Sequence, residues 1–137
     1  MKSRNALFAI LIGLQGCSGS PAEEFLFSDW VLVGGAQNVS GMGKVKVYID
    51  KNSLEKIGDV VAYKEKFMVS GDVDGVVEIR SNSEMECGKK LRKTKTIDTY
   101  FKNGEVTYST EYDGWEDINL DPLSNSFSMY EFVCLKN

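Results

Sequence analysis

The residues of this chain that could do chemistry are three cysteines, a cluster of carboxylates beside Trp115 and a run of cations near residue 90. There is no histidine, which removes Ser-His-Asp and Cys-His nucleophilic catalysis and every histidine-bearing zinc site. Glu111, Asp113, Glu116 and Asp117 flank Trp115. Glycoside cleavage needs two carboxyl groups facing each other across a cleft, whereas four on one short polar stretch are expected to form a solvated loop. Asp72-Val73-Asp74-Gly75 hints at a calcium loop. With Gly75 at the sixth loop position, however, the first and twelfth fall on Ser70 and Ser81, which supply no carboxylate. Gly34, Gly35, Gly41 and Gly43 with Lys44 resemble a phosphate loop in composition only. Val45 stands where Ser or Thr is needed, and a strand is expected to follow. No catalytic residue, metal site or cofactor is expected, and the chain is not read as an enzyme.

The cations are Lys89, Lys90, Arg92, Lys93 and Lys95. On a strand, Lys90 and Arg92 would share one face and Lys89, Lys93 and Lys95 the other. One reading is a basic patch for an acidic partner such as lipopolysaccharide, a heparin-like glycan or a serum protein. The other is an edge strand guarded by lysines against unwanted pairing.

Cys17 has a different setting. Lys2 and Arg4 precede an apolar run, Ala6 to Leu14, and then Gln15, Gly16 and Cys17. The run suits a signal-peptide core and is far short of the ~20 residues that span a bilayer. The order looks like a bacterial lipoprotein signal, with Gln15 its one atypical residue. Residues 1–16 are then a signal peptide, and residues 17–23 are a lipidated Cys17 with a short tether. The folded domain spans 24–137. Two or more acyl chains on Cys17 hold stably to a membrane, where one is marginal. Ser18, rather than Asp, follows the cysteine; by resemblance to Gram-negative lipoproteins this favours the outer membrane, with the domain facing either the surface or the periplasm. No other segment is apolar enough to span a membrane.

Removing 16 of 137 residues leaves 121, enough for one domain. The 16 basic residues less Lys2 and Arg4 leave 14 against 20 acidic ones, a net charge of −6, which argues against general nucleic-acid binding. In an oxidising compartment the remaining even pair, Cys87 and Cys134, is expected to form a disulfide, with free thiols as the alternative.

Period-2 alternation dominates the chain. Strands are expected at 25–33, 44–50, 60–68 and 76–87, the last bent near Ser81-Asn82-Ser83. Gly34 to Gly43 reads as a loop and 51–58 as a turn. In 44–50, Val45, Val47 and Ile49 should share one face. Leu91–Phe101 and Glu105–Glu111 are expected to form a hairpin around Asn103-Gly104, the dipeptide suited to a turn with positive φ at both residues. Ser124 can cap a short C-terminal helix; a strand over 127–135 is the competing reading. Six strands and one late helix predict an α+β fold, mainly antiparallel.

With these features the chain resembles the surface-adhesin protein E family of bacterial lipoproteins. The resemblance is carried by Trp30, Tyr48-Ile49-Asp50 with Ser53, Val60 to Tyr63, Cys87 and Tyr100 to Gly104. It continues through Trp115, Pro122-Leu123-Ser124 and Phe132-Val133-Cys134. It implies a six-stranded antiparallel sheet with a C-terminal helix tied to it by Cys87 and Cys134. It also implies adhesion to host matrix or serum proteins. The alternative is a periplasm-facing binding module, either an envelope-assembly partner or an inhibitor of a hydrolase such as lysozyme. Asn125-Ser126-Phe127-Ser128 is a weak helix former, so the helix is expected to be short.

Overall fold

The computed structural model describes residues 28–39, 42–71, 74–110 and 114–136. The signal peptide, Cys17, the tether, the start of the expected first strand, Asp72-Val73, Glu111 and Asp113 lie outside the described residues.

One antiparallel sheet carries the fold. Its main path runs β1 (Trp30–Val39), β2 (Gly43–Asp50), β4 (Val60–Val69), β5 (Val76–Glu86), β6 (Leu91–Phe101) and β7 (Val106–Thr110). Two short strands complete it: β3 (Glu55–Ile57) beside β4, and β8 (Glu116–Asp117) beside β6. The single described α-helix, α1 (Asn125–Tyr130), continues as a wider π-helical turn over Glu131–Leu135. Ser124 caps it, its Oγ accepting from the Phe127 N–H at 3.0 Å, so the helical reading of the C-terminus holds. The antiparallel α+β architecture with a short terminal helix is the one expected.

Alternation builds the core. Val45, Val47 and Ile49 are buried on one face of β2, and Lys44 and Lys46 are exposed on the other. Met129, Tyr130 and Val133 come down from the helical segment onto these residues and onto Tyr63 and Met85. Cys87 and Cys134 are joined, with Cα atoms 5.6 Å apart, and the Cys134 sulfur lies 3.9 Å from Met85 Sδ. The bond therefore fastens the helical segment to the end of β5.

Three local expectations are corrected. Gly34 to Val39 is strand, not loop: β1 continues to Val39 through two register shifts. The physical reason is close approach. A Cβ on Gly34 would lie 3.0 Å from Asn125 Oδ1 and 3.2 Å from Ser128 Cβ, so the missing side chain lets the helix settle onto β1. The hairpin is present as β6 and β7, but of Asn103 and Gly104 only the glycine has positive φ, at 90°. Phe101 O accepts from Gly104 N–H and Phe101 N–H bonds Glu105 O, each at 3.0 Å. This is a three-residue loop with glycine in the left-handed place, and Asn103 instead accepts from the Glu105 N–H at 2.9 Å. Finally, the cation stretch is not one continuous open edge: on the side of β6 away from β5, β8 pairs with Leu91 and Arg92 and β7 with Thr96 to Tyr100, and among the described pairings only Lys93 to Lys95 lie between the two.

Asp50 shows how the quoted motif Tyr48-Ile49-Asp50…Ser53 works. The buried carboxylate accepts from the N–H groups of Asp29 (2.8 Å) and Asn52 (3.0 Å). Ser53 Oγ donates to Asp50 O and accepts from Lys64 N–H. These bonds pin the start of β1 and the 51–53 turn to β2 and β4.

Candidate functional site

The sheet has two faces of different chemistry. On the inner face α1 packs against β1 and β2. Beyond the helix start, at Asn125, the face opens into an apolar trough of about 310 Å³. Its walls are Met42 and Val45, Phe67 and Val69 of β4, Ile79 of β5, and Thr94 and Ile97 of β6, and Glu65, Ser81 and Arg92 also line it. The volume lies at the small end of the range of about 300–1,000 Å³ typical of ligand pockets.

Glu65 is fully buried. Strand pairing sets it between Ile49 and Ser81, a charge in an apolar row. Arg92 Nη2 donates to Glu65 Oε2, Ser83 Oγ donates to the same oxygen at 2.9 Å, and Arg92 Nε donates to the Tyr63 hydroxyl at 3.3 Å. Glu65 Oε1 has no partner among the described residues. Burial raises the Glu65 pKa above the ordinary carboxylate range, although the Arg92 charge and the Ser83 hydrogen bond pull the other way. Burial, with the Glu65 charge adding to it, raises the Tyr63 phenol well above its ordinary value near 10.

That shift has a checkable consequence. Tyr63 stays neutral in the fold at pH values where it ionises in the unfolded chain. A raised folded pKa gives stability that is fully present below the unfolded value of 10.0 and is lost as pH rises through the folded one. The unfolding midpoint should therefore fall between pH 9.5 and 11, as roughly one pKa unit of separation is worth about 1.4 kcal/mol. Tyr63→Phe should flatten that slope, which urea titrations at the two pH values would read.

On the outer face, Tyr48, Lys66, Arg80, Asp98 and Tyr108 stand opposite one another on five successive strands. The Trp30 ring lies over this row. Lys66 Nζ is 4.5 Å from the Trp30 ring centre and 5.1 Å from that of Tyr48, and the Arg80 guanidinium is 6.0 Å from Trp30 and 4.9 Å from Tyr100. Desolvation lowers the Lys66 pKa; Glu78 opposes that shift and Arg80 adds to it. Arg80 is also paired with Glu78. Beside this cluster Lys64, Asn82, Thr96 and Asp98 edge a small polar recess of about 90 Å³. Tyr108 and Leu32, 72% and 56% exposed, extend the face at its two sides. Among the described residues no helix covers it.

The cation run does not converge. Lys89 and Lys90 lie in the turn before β6, Lys90 with φ 57°. Lys89 pairs with Glu86 at 3.6 Å and Lys95 with Glu84 at 3.7 Å. Lys93 sits 5.8 Å over the Trp115 ring, and Arg92 turns inward to Glu65. Of the acidic cluster, Glu116 and Asp117 are exposed in β8. Sequence reasoning missed Glu65, yet a signal exists: in Val61-x-Tyr63-x-Glu65-x-Phe67-x-Val69 it is the one charge in an apolar alternation. Among the described residues no group of acidic or cysteine side chains could hold a metal ion, and no helix is long and apolar enough to cross a membrane. No family model, curated protein or solved structure matches the chain.

Proposed function

We propose that this chain is a lipid-anchored bacterial cell-envelope protein whose domain works by binding, not catalysis. In this reading it is an adhesin-like protein of the surface-adhesin protein E type, held at the outer membrane through Cys17, with a host matrix or serum protein as partner. The observation that carries the reading is the outer face. Trp30, Tyr48, Lys66, Arg80 and Tyr100 form one aromatic–cationic cluster on a sheet face that no described helix covers. Trp, Tyr and Arg are the residues that dominate the energetics of protein interfaces. Among the described residues Glu65 is the carboxylate that lines the inner trough, and it is tied to an arginine, which favours binding over acid–base work.

Protease shaving of intact cells with mass spectrometry tests the address. Peptides of residues 28–136 released without permeabilisation support a surface adhesin. Release only after the outer membrane is breached supports the periplasm-facing module instead. Replacing Trp30 and Arg80 together by Ala should lower retention of the protein on matrix- or serum-protein-coated surfaces at least tenfold, with the unfolding midpoint followed as a control. Unchanged retention would reject this face as the contact.

A further inference from the structure

At one end of the sheet the chain turns between β3 and β4 at Gly58-Asp59 and between β5 and β6 over 87–90. The pairing of Ile57 with Val60 and of Val60 with Glu86 sets these two turns side by side. The Cys87–Cys134 bond brings the last residue of the helical segment, Leu135, to the same place. Ile57 and Leu135 are 57% and 61% exposed there, and Lys56, Lys89 and Lys90 are exposed beside them. At the opposite end, no large hydrophobic is exposed among the described turn residues 42, 70–71, 74–75 and 102–105. The start of β1 belongs to the first end: Asp29 N–H donates to Asp50, and Lys51 N–H donates to Asp29 O. Cys17 lies eleven residues before Ser28 (28 − 17), a reach of at most about 40 Å. Laying the opposite end on a bilayer would make the chain run back beside β1, whose ten residues span about 33 Å. Laying the first end on it needs no reversal.

We infer that this end of the sheet is a membrane-contact surface. Ile57 and Leu135 enter the headgroup–acyl boundary, and Lys56, Lys89 and Lys90 keep their ammonium groups among the lipid phosphates. The inference rests on the acylation of Cys17 proposed above and holds for either leaflet. Glu55, Asp59 and Asp117 are exposed at the same end, so apolar cover rather than net charge drives the contact. The sheet then stands upright on the bilayer, and its outer face points sideways, open to a partner.

The test uses the full chain, matured in cells, extracted in detergent and checked by intact mass. It is placed in phosphatidylethanolamine–phosphatidylcholine nanodiscs that carry a gadolinium-headgroup lipid, and the isoleucine and leucine methyl groups are read by NMR. The expected result is strong paramagnetic broadening at Ile57 and Leu135 and little at Leu32 and Leu123. These two controls are also exposed but stand away from the contact. Leu32 is level, through Tyr48, with Lys66, six residues or about 20 Å along β4 from Val60. Leu123 precedes the helix start, where a Cβ on Gly34 would meet Asn125. Ile57→Asp with Leu135→Asp should lower the docked fraction roughly tenfold or more, read as lost broadening, with the unfolding midpoint as control. The comparison of methyl groups in the parent chain needs no substitution and stands even if that variant folds poorly. A mass without acyl groups would overturn the anchor and this orientation with it. An acylated chain broadened at Leu32 or Leu123 as much as at Ile57 and Leu135 would overturn the orientation alone. Broadening that survives the double substitution would overturn the role of the two side chains.

Discussion

Arg92→Met should destabilise the domain by about 3–5 kcal/mol, because it leaves the Glu65 charge buried with no counter-ion. Glu65 is 0% exposed and the Arg92 side chain 19%, so solvent screens little of this loss. Against a total stability of about 5–15 kcal/mol, the variant should be marginal. Urea unfolding followed by tryptophan fluorescence would read it. The double variant Glu65→Leu with Arg92→Met should recover most of the loss, since apolar residues can replace a buried ion pair at little cost. The sign of the pH effect follows as well. Removing Arg92 takes away the charge that holds the Glu65 pKa down. A carboxyl with a raised folded pKa contributes stability below the unfolded value that is lost as pH rises. Arg92→Met should therefore be more stable at pH 5 than at pH 8. A variant equally weak at both pH values, or one close to the parent, would contradict the pairing.

The second large effect is at the disulfide. Cys87 and Cys134 are 47 residues apart in sequence, and the chain-entropy treatment gives roughly 4 kcal/mol for closing such a loop. Replacing both by Ser should lower stability by about that amount. The loss has a direction in space, because the helix has only six residues of regular α-structure, Asn125–Tyr130, and isolated helices of that length do not hold in water. Limited proteolysis of the double variant should therefore cut first within residues 120–136, before the sheet is attacked. Cleavage beginning in β4 or β5 would show that the bond does not hold the helix down.

The strands were legible where one face is apolar. Val45, Val47 and Ile49 alternate with Lys44, Lys46 and Tyr48, and the register follows. The late helix was legible from Ser124 and the spacing of Met129 and Val133. Gly34 to Val39 was not, because two glycines in a row read as a loop unless the close approach of Asn125 and Ser128 is known. Arg92 was counted among surface cations because a local run of like charges hides which member turns inward. That depends on a carboxylate 27 residues away, and no local pattern encodes it. The outer cluster was hidden for the same reason: Trp30, Lys66, Arg80 and Tyr100 meet only through strand pairing.

The main strands lie side by side almost in the order in which they occur in the chain, so each can zip onto its predecessor as the polypeptide emerges from a ribosome or an export channel. The helical segment breaks that order. It follows the described strands and settles beside the first two, which until then keep Val47 and Ile49 in water. Vectorial synthesis thus yields a nearly finished sheet that stays sticky until residues 125–135 arrive. A premature stop or a cut just ahead of residue 125 would not trim this domain; it would leave it open to chaperones and quality-control proteases.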